Sequence, residues 1–155
     1  MYGPNRRNFL RAAGILSLFR KRMPAAEEVQ DPWPKDKLIE PADLAHRLAG
    51  PGPHPVIISV VFPVLFRQRH IRSAILAGPA SKPEGMTALR AVTAKLSKNE
   101  DIVIYCGCCP MVDCPNIRPA FRELRTLGYR NVKVLDLPSN FHSDWSAKDY
   151  PVEPA

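Results

Sequence analysis

Acidic residues are absent from the first 26 positions, and cysteine is absent everywhere outside residues 106–114. No apolar stretch is long enough to cross a bilayer. The longest, Val56–Phe66, has 11 residues with Pro63 inside it, against about 20 for a membrane helix, so no stable membrane span is expected. Internal repeats and low-complexity tracts are missing as well, which argues against a repeat array. A chain of 155 residues does not need cysteine staples, because one compact domain with a short tail can bury a sufficient core. A hydrophobic fraction of 45% with 24% charged residues excludes a wholly disordered chain. The 17 prolines predict many turn and loop positions.

The net charge of +7 is unevenly placed. Residues 1–26 carry six basic side chains, while residues 27–155 carry 16 basic and 15 acidic ones, leaving the body at +1. A nucleic-acid footprint would put its basic excess on the folded body, so no nucleic-acid partner is expected. The basic excess lies in Asn5-Arg6-Arg7-Asn8-Phe9-Leu10-Arg11, followed by the apolar stretch Ala12–Phe19, then Arg20-Lys21-Arg22 and Pro24-Ala25-Ala26. This order resembles the twin-arginine export signal of bacteria, with a small-residue cleavage site at its end. The resemblance implies a periplasmic or otherwise exported protein that meets an export machinery through its N-terminus. A basic N-terminal tail retained on a cytoplasmic protein is the alternative.

Residues 27–36 are polar and proline-rich and read as a linker. From residue 37 to 153, strand and helix patterns alternate. Leu44 and Leu48 mark a short helix that starts near Pro41 and stops at Gly50. Val56–Val61 and Ile102–Tyr105 are β-branched runs expected of strands buried on both faces. Met86, Leu89, Val92 and Leu96 form one helical stripe, and Ala120, Phe121, Leu124 and Leu127 form another that ends at Gly128. Val132–Leu135 reads as a third strand, and Phe141–Ala147 as a short closing helix. The alternation predicts an α/β domain with a mostly parallel central sheet flanked by helices.

The chemistry concentrates in Cys106-Gly107-Cys108-Cys109-Pro110-Met111-Val112-Asp113-Cys114, between the strand ending at Tyr105 and a helix starting near Asn116. Ligands bind beyond the carboxyl ends of strands in open α/β sheets. A helix N-terminus offers free N–H groups and partial positive charge, which favour the reactive thiolate of a cysteine placed there. A phosphatase-type loop is excluded, because positions 112, 114, 115 and 120 hold no arginine six residues after any cysteine. Cys106-Gly107-Cys108-Cys109-Pro110 contains a C-x-x-C followed by proline, but the surrounding elements do not follow thioredoxin order. The readings that remain are a catalytic thiolate, or a non-catalytic loop that binds a metal through Cys106, Cys108, Cys109 and Cys114, forms structural or redox disulfides, or binds a partner protein.

Four further stretches lie in a telling order. Arg69-His70-Ile71-Arg72-Ser73-Ala74-Ile75-Leu76 is followed by Ile102-Val103-Ile104-Tyr105-Cys106. Then come Ala120 through Val132, including Leu127-Gly128-Tyr129, and finally Trp145 with Tyr150-Pro151-Val152-Glu153. Over residues 36–153 this resembles the rhodanese-like sulfurtransferase domain. The resemblance implies that Cys106 is the nucleophile, taking sulfane sulfur from a small anionic donor such as thiosulfate or a persulfide and passing it to a thiol acceptor, with no cofactor. Beside that carry-over, the loop of Gly107, Cys108 and Cys109 is expected to hold an anionic substrate with its N–H groups, and Arg118 at the helix start to bind negative charge or to stay solvated. Cys108, Cys109 or Cys114 is a candidate resolving thiol that attacks the persulfide or forms a disulfide with Cys106, and Cys114, nearest the helix N-terminus, is the second-ranked nucleophile.

The sequence also departs from that pattern. Ser59-Val60-Val61 stands where the family has Asp-x-Arg, the cysteine loop is about five residues longer, and Leu137-Pro138-Ser139 replaces a Gly-Gly before the last helix. His70 reads as structural, His46 and His54 as surface residues, His142 as a residue near the start of the last helix with capping or lining the pocket as its alternative, and Trp33 and Trp145 as packing residues. Any positive field at the mouth of the loop is expected from Arg118 and Arg122.

Overall fold

The computed structural model describes residues 30–154; the segment 1–26, where an export signal is expected, lies outside them. The chain runs β1 (Leu38–Ile39), α1 (Pro41–Ala49), β2 (Val56–Ser59), α2 (Pro63–Gln68), β3 (His70–Ile71) and β4 (Ile75–Leu76). It continues through α3 (Pro83–Thr93), β5 (Asp101–Tyr105), α4 (Ile117–Thr126), β6 (Asn131–Leu135), α5 (Phe141–Asp144) and β7 (Val152–Glu153). Five strands form a parallel sheet in the order β1-β6-β5-β2-β4, with β5 at its centre. The short β3 and β7 pair antiparallel beside it. The mostly parallel α/β domain expected from the pattern is the one observed. Among the described residues no helix is long and apolar enough to cross a membrane.

Alternation along β5 divides the core. Ile102 and Ile104 face a cluster with Leu89 of α3 and Ile117, Ala120, Phe121 and Leu124 of α4. Val103 and Tyr105 face the opposite cluster, built from Leu44, Ile71, Leu135 and Trp145. Both faces of the strand are thus covered, which is why the run carries no polar residue between Ile102 and Ile104. Three helices open on proline, at Pro41, Pro63 and Pro83, where the missing N–H costs nothing and the fixed φ is already helical. Pro63 therefore splits the apolar run Val56–Phe66 into a strand and the start of α2, a helix that the run alone did not reveal. Gly128 closes α4 in the left-handed region at φ 89, and the Tyr129 N–H returns to the Leu124 carbonyl at 3.0 Å.

The stretch 30–36 is not a free linker. Trp33 is only 6% exposed and meets Phe121 edge-on at 5.5 Å. Burying such a ring contributes about 2–3 kcal/mol, offset in part by its buried indole N–H, which has no hydrogen-bond partner; the Asp31–Arg118 ion pair ties the same segment to α4. His70 is buried, stacks on Phe66 at 3.8 Å, and has Nδ1 at 3.0 Å from the Phe66 carbonyl oxygen. Its role is structural, as expected. Trp145 is buried too and donates its indole N–H to the Pro151 carbonyl.

Candidate functional site

β5 delivers Cys106 to the carboxyl edge of the sheet, directly after Tyr105. Gly107 then turns the chain at φ 72, a conformation that glycine enters without strain. A Cβ on Gly107 would lie 2.7 Å from the Phe141 Cβ, so α5 packs against bare backbone there. The Phe141 N–H donates to the Gly107 carbonyl at 3.0 Å and fixes that approach. Met111–Asp113 form one 3-10 turn, and Cys114 leads into α4.

This geometry opens a pocket of about 410 Å³ beside the cysteine loop. Cys106, Gly107 and Cys108 line one wall, with Tyr105 beside them, and Arg69, Asn140 and His142 supply polar groups on the others. His142 is exposed and its Nδ1 lies 3.0 Å from the Ser146 hydroxyl. Tyr105 is buried, and its hydroxyl accepts the Ile71 N–H at 3.2 Å. Burial drives its pKa up to about 12, so the phenol stays protonated.

The sulfur atoms form a chain. Cys106 Sγ lies 3.2 Å from Cys108 Sγ, within hydrogen-bonding reach, and Cys108 Sγ lies 3.3 Å from Cys109 Sγ. The sulfurs of Cys106, Cys108 and Cys114 all lie within 4.8 Å of one another. No disulfide joins the four cysteines. Three thiols converge closely enough to enclose a soft metal ion. Cys109 stands outside that trio, which reduces the four-thiolate metal site to three candidate ligands.

Four neighbouring thiols cannot all ionise, because each negative charge opposes the next. The charge settles on Cys114. Hydrogen bonds from the Cys106 and Cys108 thiols, then the backbone N–H groups of Asn116 and Ile117, pull its pKa far down despite burial. Cys106 goes the other way. The hydrogen bond with Cys108 lowers its pKa, but the Cys114 partner, burial and the Cys114 charge outweigh that and push it up to about 12. Cys108 is raised, chiefly through its Cys106 and Cys114 partners, and Cys109 rises to about 12 mainly by burial. The helix N-terminus acts on Cys114, which sits next to it, and not on Cys106 at the strand end.

The structure reassigns Arg118. Arg118 is 7% exposed and is not at the pocket. Its guanidinium holds Asp31 at 2.7 and 2.9 Å and donates to the Met111 and Cys114 carbonyls. It buttresses the cysteine loop instead of binding substrate. The basic group at the pocket is Arg69, which follows α2 and lies within the Arg69–Leu76 stretch. Asn116 was also overlooked. It is fully buried, donates from Nδ2 to Cys106 Sγ at 3.5 Å, and accepts the Ser81 N–H at Oδ1. A buried asparagine opening a helix after a cysteine loop is the signal that could have found it. Of the other expected site residues, Cys109 lines a small crevice with Cys106, Met111 and Cys114, away from Arg69.

No protein-family model and no curated protein matches the chain. Solved structures do. The solution structure of the rhodanese-like domain of an Anabaena sp. protein aligns with a TM-score of 0.60 at 21% identity, covering 77% of this chain and 80% of that one. A protein from Bacillus halodurans aligns at 0.58 and 25% identity over 75% of each chain. Thiosulfate sulfurtransferase from Pseudomonas aeruginosa aligns at 0.53 and 22% identity over 77% of this chain, which spans only 19% of that larger protein. These likenesses show the rhodanese-like fold.

Proposed function

We propose that the chain is a sulfurtransferase in which Cys106 carries sulfane sulfur as a persulfide. The observation that supports this best is Cys106 at the end of the central strand, lining a pocket that also presents Arg69. An anionic donor such as thiosulfate enters beside Arg69, whose charge attracts it. The Cys106 sulfur attacks the outer sulfur of the donor. A new S–S bond forms, the bond to the sulfonate sulfur breaks, and sulfite leaves with the electron pair. The Cys106 proton passes to the Cys114 thiolate, whose sulfur lies within 4.8 Å of Cys106 Sγ. Asn116 steadies the developing charge on Cys106 through its amide N–H. A thiol acceptor then removes the sulfur, so one difficult transfer becomes two easier ones.

Mixing the reduced full-length chain with thiosulfate tests this reading. Stoichiometric sulfite release that disappears in Cys106→Ser supports it. Absence of sulfite, or release undiminished by that substitution, refutes it. The reading also includes export through residues 5–26, proposed from the Arg6-Arg7 motif alone.

A further inference from the structure

We infer that Cys108 resolves the Cys106 persulfide from within the loop, so that the chain also reduces sulfane sulfur to sulfide and keeps the oxidation as a Cys106–Cys108 disulfide. The inference rests on the sulfurtransferase reading of Cys106. Cys108 Sγ lies 3.2 Å from Cys106 Sγ, inside the near-attack range of about 3–3.5 Å. A disulfide bond of about 2.05 Å requires the two atoms to approach by only about 1.2 Å more. Gly107 makes that approach possible. Its left-handed φ of 72 folds the chain back between the two cysteines, and it carries no side chain to obstruct the ring that a Cys-Gly-Cys disulfide closes.

Both sulfurs line the same pocket, so the displaced sulfur has somewhere to go. Cys114 is 3% exposed and absent from that pocket, while Cys109 lies outside the trio of sulfurs within 4.8 Å of one another and has its sulfur paired with Cys108. Cys108 is therefore the thiol placed for the step.

The chemistry balances without an added oxidant. Cys108 attacks Cys106 Sγ, and a Sγ–Sγ bond forms while the bond from Cys106 to the sulfane sulfur breaks. The sulfane sulfur leaves with the electron pair and takes up the Cys108 proton as hydrosulfide. Two thiols are oxidised to a disulfide, and the sulfane sulfur is reduced to sulfide. Starting from thiosulfate, one turnover yields one sulfite and one sulfide. Further turnovers require an external dithiol to reduce the disulfide by exchange.

The test is an anaerobic single turnover of the fully reduced full-length chain with thiosulfate, reading sulfite, sulfide and intact mass. The wild type is expected to release both products in equal amounts and to become about 2 Da lighter, with peptide mapping placing the disulfide between Cys106 and Cys108. Cys108→Ser is expected to release sulfite, release no sulfide, and retain an adduct of about 32 Da. A wild type that releases sulfite but keeps the adduct and yields no sulfide overturns this inference while leaving the transferase reading intact. Sulfide release undiminished in Cys108→Ser overturns the assignment to Cys108. Absence of both products from the wild type defeats the transferase reading itself, and the inference with it.

Discussion

Replacing Cys114 by serine should make Cys106 easier to ionise, and replacing Cys108 should make it harder. The opposition comes from the loop. Cys114 bears the negative charge of the cluster and raises the Cys106 pKa, whereas the hydrogen bond with Cys108 lowers it. Two like charges within 4.8 Å at an effective dielectric constant of about 20 repel by about 3.5 kcal/mol. That is about 2.5 pH units. Serine keeps an oxygen facing the Asn116 and Ile117 N–H groups but stays neutral, so it removes the repulsion with little change in shape. The assay is the pH dependence of Cys106 alkylation, assigned to that residue by fragment ions of the loop peptide in mass spectrometry. In the wild type the rate should still be climbing near pH 10, because the Cys106 pKa is raised to about 12. In Cys114→Ser the inflection should fall by about 2.5 pH units, and in Cys108→Ser it should rise. The rate at neutral pH is a separate matter, since Cys114 also receives the Cys106 proton. An inflection unmoved or raised by Cys114→Ser would refute the account of where the charge resides.

Four other outcomes follow from the same geometry. Arg69→Met should raise KM for thiosulfate about fivefold, the worth of about 1 kcal/mol for one exposed charge contact, with kcat and melting temperature unchanged in steady-state and thermal assays. Arg118→Met should do the reverse, costing about 1–3 kcal/mol of stability in denaturant melts while leaving KM close to that of the wild type. Gly107→Ala should cost about 1–3 kcal/mol in the same melts, because its Cβ would sit 2.7 Å from Phe141 and its φ is 72. Residues 1–30 fused to a reporter that requires folded export should direct it across the membrane, and replacing Arg6 and Arg7 with lysine should stop it.

The central strands and the two striped helices were legible because burial on both faces leaves a pattern in the sequence: β-branched runs at β2 and β5, and helical spacing in α3 and α4. The short elements were not. β3, β4 and β7 have two residues each, too few for any periodicity, and α2 was hidden inside an apolar run until Pro63 was seen as its first residue. The position of Cys106 was readable, since it follows the strand directly. The distribution of charge was not. It depends on which sulfur meets the Asn116 and Ile117 N–H groups, a matter of three-dimensional approach. Arg118 misled for a related reason. A first-turn arginine looks available for an anion, but its partner is Asp31, 87 positions earlier in the chain, and no local pattern announces that pair.

The most direct test of the central claim uses thiosulfate labelled at its outer sulfur. After brief reaction with the reduced Cys108→Ser chain, quenching and digestion, the label should be bound covalently to Cys106, assigned by fragment ions of the loop peptide, with unlabelled sulfite in solution. Label on Cys114, or label remaining in thiosulfate with no protein adduct, would contradict the account.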